Sequence, residues 1–179
     1  IADMAKQFDP GIKVVIGGVH PTIMHQQVME NYPSIDYIVL GEGEETCLEI
    51  AQGKEPSQIN GIAYRDNGNI VKTPARKNIA NIDDIPFPAW HLLDLRKYPA
   101  IGKGIFRGID LQKVPRISVI FSRGCKGHCD FCSTWWIWKG WRHRSAKNMT
   151  DEIELLYQDF GIRHFCFADD AMTVDRQAT

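Results

Sequence analysis

The runs IKVVIGG (12–18) and DYIVLGEGEE (36–45) constrain the fold of this chain more than any other feature. Each is short, continuously apolar and rich in β-branched residues, and each ends at glycines. Apolar residues in succession, without alternation, mark a strand buried on both faces, and the glycines after it permit a tight turn of bare backbone. Between the runs, PTIMHQQVMENY (21–32) carries a loose helical stripe through Ile23, Met24, Val28 and Tyr32, opened by Pro21 or Thr22. ETCLEIAQG (45–53) reads as a short helix stopped by Gly53. Strand, loop and helix, twice over, is the unit of a doubly wound α/β fold with parallel strands.

The period then changes. NGIAYRDNGNIVKTP (60–74) has two alternating runs around Asp66-Asn67-Gly68 and predicts a hairpin. IDDIPFPAWHLLDLRKYP (82–99) is rich in proline and aromatics and reads as an ordered segment crossing between domains. ISVIF (117–121) starts a new buried strand. MTDEIELLYQDFG (149–161) predicts a helix with Asp151 and Glu152 at its positive end, Ile153, Leu156, Tyr157 and Phe160 on one face, and Gly161 as its stop. IRHFCFADD (162–170) is the next strand, with acids at its C-terminal end, where α/β folds place their chemistry. The expected divisions are 1–53, 54–113 and 114–179.

SRGCKGHCDFCS (122–133) holds three of the five cysteines. One tight cluster in an odd total does not resemble a secreted disulfide framework, and a reducing, cytoplasmic setting is expected. Three thiols are one short of closing a four-coordinate site. A structural zinc site takes a fourth donor from His128, His143 or Cys166. A redox pair at Cys129 and Cys132 leaves Cys125 unexplained. A [4Fe-4S] cluster on Cys125, Cys129 and Cys132 alone leaves one iron open to a small molecule, and Phe131 can pack beside it. STWWIWKGWRHRS (133–145) interleaves four tryptophans with basic residues. Such a segment can stack bases and pair phosphates, cover the cysteine loop, or, through Arg142 and Arg144, form a basic wall for an anion.

The pattern C-x3-C-x-aromatic-C on a loop after a strand resembles the radical S-adenosylmethionine (radical SAM) superfamily. The resemblance implies a partial (β/α) barrel beginning near Val114. It also implies a cluster whose open iron binds S-adenosylmethionine and, once reduced, cleaves it to a 5′-deoxyadenosyl radical. Asp169 and Asp170 stand where that family often receives the cosubstrate's amino group, although ADD replaces the usual glycine–glutamate motif. VVIGGVHPT with DYIVLGEGEET is similar to the C-terminal half of the cobalamin (B12)-binding domain that precedes many such barrels, and PFPAW fits its linker. Gly17 and Gly18 would lie by the cobalamin nucleotide tail and Gly41, Glu42, Gly43 and Glu44 by the corrin. His20 would touch backbone or the corrin edge, not cobalt.

The expected function is therefore a cobalamin-dependent radical SAM enzyme transferring a methyl group or functionalising another C–H bond. It would act on a small molecule and take electrons from a reductant such as flavodoxin or ferredoxin. The alternatives are a zinc-stabilised nucleic-acid-binding module and a tRNA-modifying radical SAM enzyme without cobalamin. Net charge is −1, which does not favour nucleic acid as a partner, and no apolar run nears the roughly 20 residues that span a bilayer. A βα pair takes roughly 30 residues, so 114–179 holds about two barrel strands. The chain, starting at Ile1, is expected to be the middle of a longer enzyme and inactive alone.

Overall fold

The computed structural model describes residues 1–97, 105–106, 108–110 and 115–176. The chain divides into two units, Ile1–Ile79 and Ala80–Thr179.

In the first unit the elements are α1 (Ala2–Phe8), β1 (Val15–Ile16), α2 (Val19–Ile23), α3 (His25–Asn31), β2 (Tyr37–Val39), α4 (Glu44–Ala51), β3 (Ile62–Asp66) and β4 (Asn69–Lys72). They build one sheet in the order β1-β2-β3-β4. β1 and β2 are parallel, as the apolar runs require, with Val15 opposite Tyr37. The hairpin β3–β4 adds antiparallel, with Ile38 opposite Ala63. Its turn is Asn67-Gly68, with φ of 48° and 84°, the two positive values of a twist-matched two-residue loop. Val28, Met29, Ile35, Ile38 and Ala63 form the core.

Two expectations change here. The helix expected over 21–32 breaks at Met24 (φ −103°, ψ 25°) into α2 and α3. The segment 54–113, expected as a hairpin and a Pro-rich linker, is shared between the two units. The hairpin completes the first sheet, and Arg76 beyond it bonds Glu45 and Thr46 of α4 and pairs with Glu49. Residues 82–95 instead belong to the second unit, where Trp90 and Leu95 pack on its core. The expected 113/114 boundary lies outside the described residues.

The second unit has β5 (Ile105–Phe106) and β6 (Ile109–Asp110) as a short antiparallel pair, then β7 (Arg116–Val119), β8 (Ser122–Gly124), α5 (Thr134–Trp138), β9 (Trp141–His143), α6 (Ala146–Asp159) and β10 (His164–Phe167). β7 and β10 are parallel, with Ile117 opposite Phe165. Helix α6 lies between them in sequence and packs Met149 and Leu156 against Val119, Phe121 and Ile162. Complete burial of Leu156 contributes about 1.5–3 kcal/mol. α6 starts three residues earlier than its charge pattern suggests, because the Ser145 hydroxyl caps it by accepting the Asn148 N–H (3.1 Å). Asp151 and Glu152 therefore do not sit in the first turn. Asp151 pairs with Lys147, and Glu152 turns inward, 2% exposed.

β8 and β9 pair antiparallel and bracket the cysteine loop, with Gly124 opposite Trp141. Gly124 has φ 88°, and a Cβ there would fall 1.9 Å from the Gly140 carbonyl oxygen and 2.9 Å from Trp138 Cβ. Both strain and overlap oppose any side chain at this point. Gly124→Ala is expected to cost about 2–4 kcal/mol, read as a lower midpoint in urea unfolding followed by tryptophan fluorescence. An unshifted midpoint would contradict this packing.

Candidate functional site

The three clustered cysteines ride on a single excursion that leaves the sheet after β7 and returns through β9. Two short contacts shape it. Gly127 N–H points at Cys125 Sγ (3.3 Å), and Cys132 N–H closes a turn on the Cys129 carbonyl (3.0 Å). A Cβ on Gly127 would lie 3.5 Å from Cys125 Sγ and 3.8 Å from Cys129 Sγ, so this glycine sits beside both sulfurs. None of the three is in a disulfide; Cys129 is exposed and the other two are half-buried. Among the described residues, no three His, Cys, Asp or Glu side chains converge to hold one metal ion. A single zinc ion needs its donors within about 2.3 Å. A cluster spreads its thiolates over separate irons, so three thiols on one loop need not meet at one atom to hold it.

The same geometry does not favour the zinc alternative. His143 Nδ1 lies 2.8 Å from the Arg144 carbonyl, and its ring packs on Phe121 and Trp141. His128 packs on Trp135, and Cys166 sits within β10 opposite Ser118. The expected basic wall also changes: Arg144 is buried, 8% exposed, and paired with Glu152.

The two acids after β10 part ways. Asp169 accepts from the Phe121 N–H (3.3 Å), the Ser122 N–H and the Ser122 hydroxyl (2.5 Å), so its oxygens fix the start of the cysteine excursion. Asp170 is exposed, and its charge acts on Cys132. Phe131 is 94% exposed and covers neither neighbouring thiol by itself. Of the tryptophans, Trp141 donates to the Ala171 carbonyl (2.8 Å), Trp135 stacks on Trp136, and Arg123 and Lys126 lie over the Trp138 and Trp141 rings. These rings are used mainly in building the loop.

In the first unit, the parallel pairing of β1 and β2 puts both glycine loops at the same end of the sheet. A Cβ at Gly18 (φ 99°) or Gly41 (φ 78°) would meet nothing within 4 Å, and one at Gly17 would meet only Val39. Bare backbone of this kind admits close approach of a ligand. Sequence reading missed Thr22, whose hydroxyl accepts the Gly41 N–H (3.1 Å) and joins the two loops. His20 is exposed on α2, and Glu44 opens α4 at the surface. Glu42 turns inward, 6% exposed, and accepts the Ile79 N–H (2.6 Å). Gly43 serves packing, since a Cβ would crowd Val39 Cγ1 at 3.3 Å.

The thiols differ electrostatically. Hydrogen bonds from the Thr134 hydroxyl and backbone lower the pKa of Cys132, against burial and the Asp170 charge. Burial, then the Glu44 charge, raises that of Cys47. The thiolate is the nucleophile, so alkylation of metal-free protein by iodoacetamide should reach half its maximal rate at lower pH for Cys132 than for Cys47. Equal midpoints, read by peptide mass spectrometry, would contradict the Thr134 contact.

Residues 1–51 match the B12 binding domain family. The chain is 37% identical over 183 residues to the anaerobic magnesium-protoporphyrin IX monomethyl ester cyclase of Rubrivivax gelatinosus, covering 97% of this chain and 31% of that one. It is 35% identical over 182 residues to the uncharacterized methyltransferase PH0819 of Pyrococcus horikoshii, covering 99% of this chain and 37% of that one. The chain thus spans about a third of the length of these relatives. The solved structure of the cobalamin-dependent S-adenosylmethionine radical enzyme OxsB, with aqua-cobalamin and S-adenosylmethionine bound, shares the fold at TM-score 0.66 and 22% identity, over 93% of this chain and 22% of that one. By these likenesses residues 1–51 are similar to the B12 binding domain family, and the chain shares the fold of a structure solved with aqua-cobalamin and S-adenosylmethionine bound.

Proposed function

We propose that this chain carries the cobalamin-facing loops and the cluster-binding loop of a cobalamin-dependent radical SAM enzyme acting on a small molecule. The observation that carries the reading is the set of three, not four, thiols on one loop, with Gly127 beside two of them. Cys125, Cys129 and Cys132 would hold a [4Fe-4S] cluster, which would supply the electron that reduces S-adenosylmethionine. The chain's own residues prepare the site. Thr134 stabilises negative charge on Cys132, Gly127 N–H bonds Cys125 Sγ, and Asp169 fixes the loop's point of departure. Asp170, the exposed acid beside the loop, is suited to the cosubstrate's ammonium group, and Phe131 to cover the site from water.

Gly17, Gly18 and Gly41 offer backbone to cobalamin, with Thr22 holding the two loops together. A relative named as a methyltransferase and another named as a cyclase support C–H functionalisation in general and do not choose between methyl transfer and ring closure. The electron source is a soluble reductant such as flavodoxin or ferredoxin. All five cysteines are free, which suits a reducing cytoplasm. Among the described residues no helix is long and apolar enough to cross a membrane.

Anaerobic reconstitution of the full chain with iron and sulfide should give a brown protein with about four irons per chain. Cys129→Ala should take up less than about a tenth as much, while retaining hydroxocobalamin on gel filtration as the parent does. A colourless protein with one zinc, or a Cys129→Ala variant with a full complement of iron, would overturn the reading. Loss of corrin retention in Thr22→Val, with iron uptake intact, is expected from the Gly41 bond. Equal retention would remove Thr22 from the corrin site.

A further inference from the structure

The excursion that carries the thiols has two feet, and one buried ion pair holds both. At the entering foot, Arg144 donates from Nη1 to the Ile120 carbonyl (3.2 Å), and its backbone N–H donates to the Phe121 carbonyl (2.9 Å). Arg144 is itself the leaving foot, the residue directly after β9. Its guanidinium is fixed by Glu152 through Nη1, by Asn148 Oδ1 through Nε (2.5 Å) and by the Asn148 carbonyl through Nη2 (3.1 Å), and it lies over the Phe87 ring. Glu152 accepts a second bond from Trp90 Nε1 (3.0 Å). The Arg144 and Glu152 side chains are 9% and 3% exposed.

A buried ion pair is weak evidence for stability, because desolvation offsets the attraction and apolar replacements often fold as well or better. It is strong at fixing geometry, because a forked guanidinium bonds only from set directions. We propose that Arg144 and Glu152 are positioning residues: their ion pair pins the entry and exit of the 122–143 excursion to α6, and so holds Cys125, Cys129 and Cys132 at the spacing that retains a cluster. Nothing in this arrangement places either residue in contact with cosubstrate. The claim about the cluster rests on the reading of the three cysteines given above; the claim about the loop does not.

The test uses the full chain carrying Arg144→Met and Glu152→Leu together, with Glu154→Gly as a control that weakens the same helix at an exposed position away from either foot. In metal-free protein, hydrogen exchange of the amides from Phe121 to Cys132 should rise about tenfold in the double variant, with the β7–β10 amides protected as in the parent. After reconstitution, iron loss to a chelator should be about tenfold faster, and the reduced cluster's paramagnetic resonance signal broader. Glu154→Gly should lower the melting temperature but move neither loop exchange nor iron loss relative to β7–β10. Unchanged loop exchange in a folded double variant would overturn the proposal. So would a double variant that fails to fold, or a control that loosens the loop equally, since each makes the pair a stability element only. If the parent takes up no iron, the cysteine reading falls and the exchange arm still decides the pinning.

Discussion

Between Ile120 and Ser122 the chain meets side chains from three directions. The Ile120 carbonyl is held by Arg144, the Phe121 N–H by Asp169, the Phe121 carbonyl by the Arg144 backbone and the Ser122 N–H by Asp169. A loop that leaves a sheet from such a point leaves in one direction. That constraint matters because a cluster needs several thiols to arrive together, and three residues past Ser122 the first thiol appears. Asp169 comes from the strand that pairs with β7, and Arg144 from the end of β9, so the sheet and the hairpin each contribute one hand to the same grip.

The first unit solves a related problem with glycine in place of charge. Parallel pairing aligns the ends of β1 and β2, and each strand hands over to backbone without side chains. Thr22 bridges the two loops, while Glu42 turns inward to bond the Ile79 N–H. The antiparallel hairpin closes one side of the sheet, and Thr73 locks it to β3 by accepting the Ile62 N–H and donating to the Ile62 carbonyl. In both units the candidate chemistry sits where strands end and regular bonding stops, which is where backbone or side chains are free to face a ligand.

Much of this was legible in the residues. Continuous apolar runs marked the parallel strands, and Asn67-Gly68 marked the hairpin turn. What escaped depends on distant partners. Glu152 looked like a first-turn acid because acids favour helix N-termini, but its partners Arg144 and Trp90 are eight and 62 positions away. Asp169 read as a cosubstrate acid, and only the pairing of β10 with β7 shows its oxygens committed to Phe121 and Ser122. The break at Met24 and the short helix α5 carried no periodic signal, since one-turn helices are set by what they pack against. The Ser145 cap was readable in principle: a serine three residues before asparagine opens α6.

The proposed chemistry centres on an iron that the polypeptide leaves without a side-chain ligand. Electron–nuclear double resonance on the reduced, reconstituted chain, with S-adenosylmethionine labelled at its amino nitrogen and carboxylate oxygen, tests this most directly. Strong hyperfine coupling from both labels is expected, present in the parent and abolished by an excess of unlabelled cosubstrate. A cluster showing no coupling to either label, with a fourth protein donor on that iron, would contradict it.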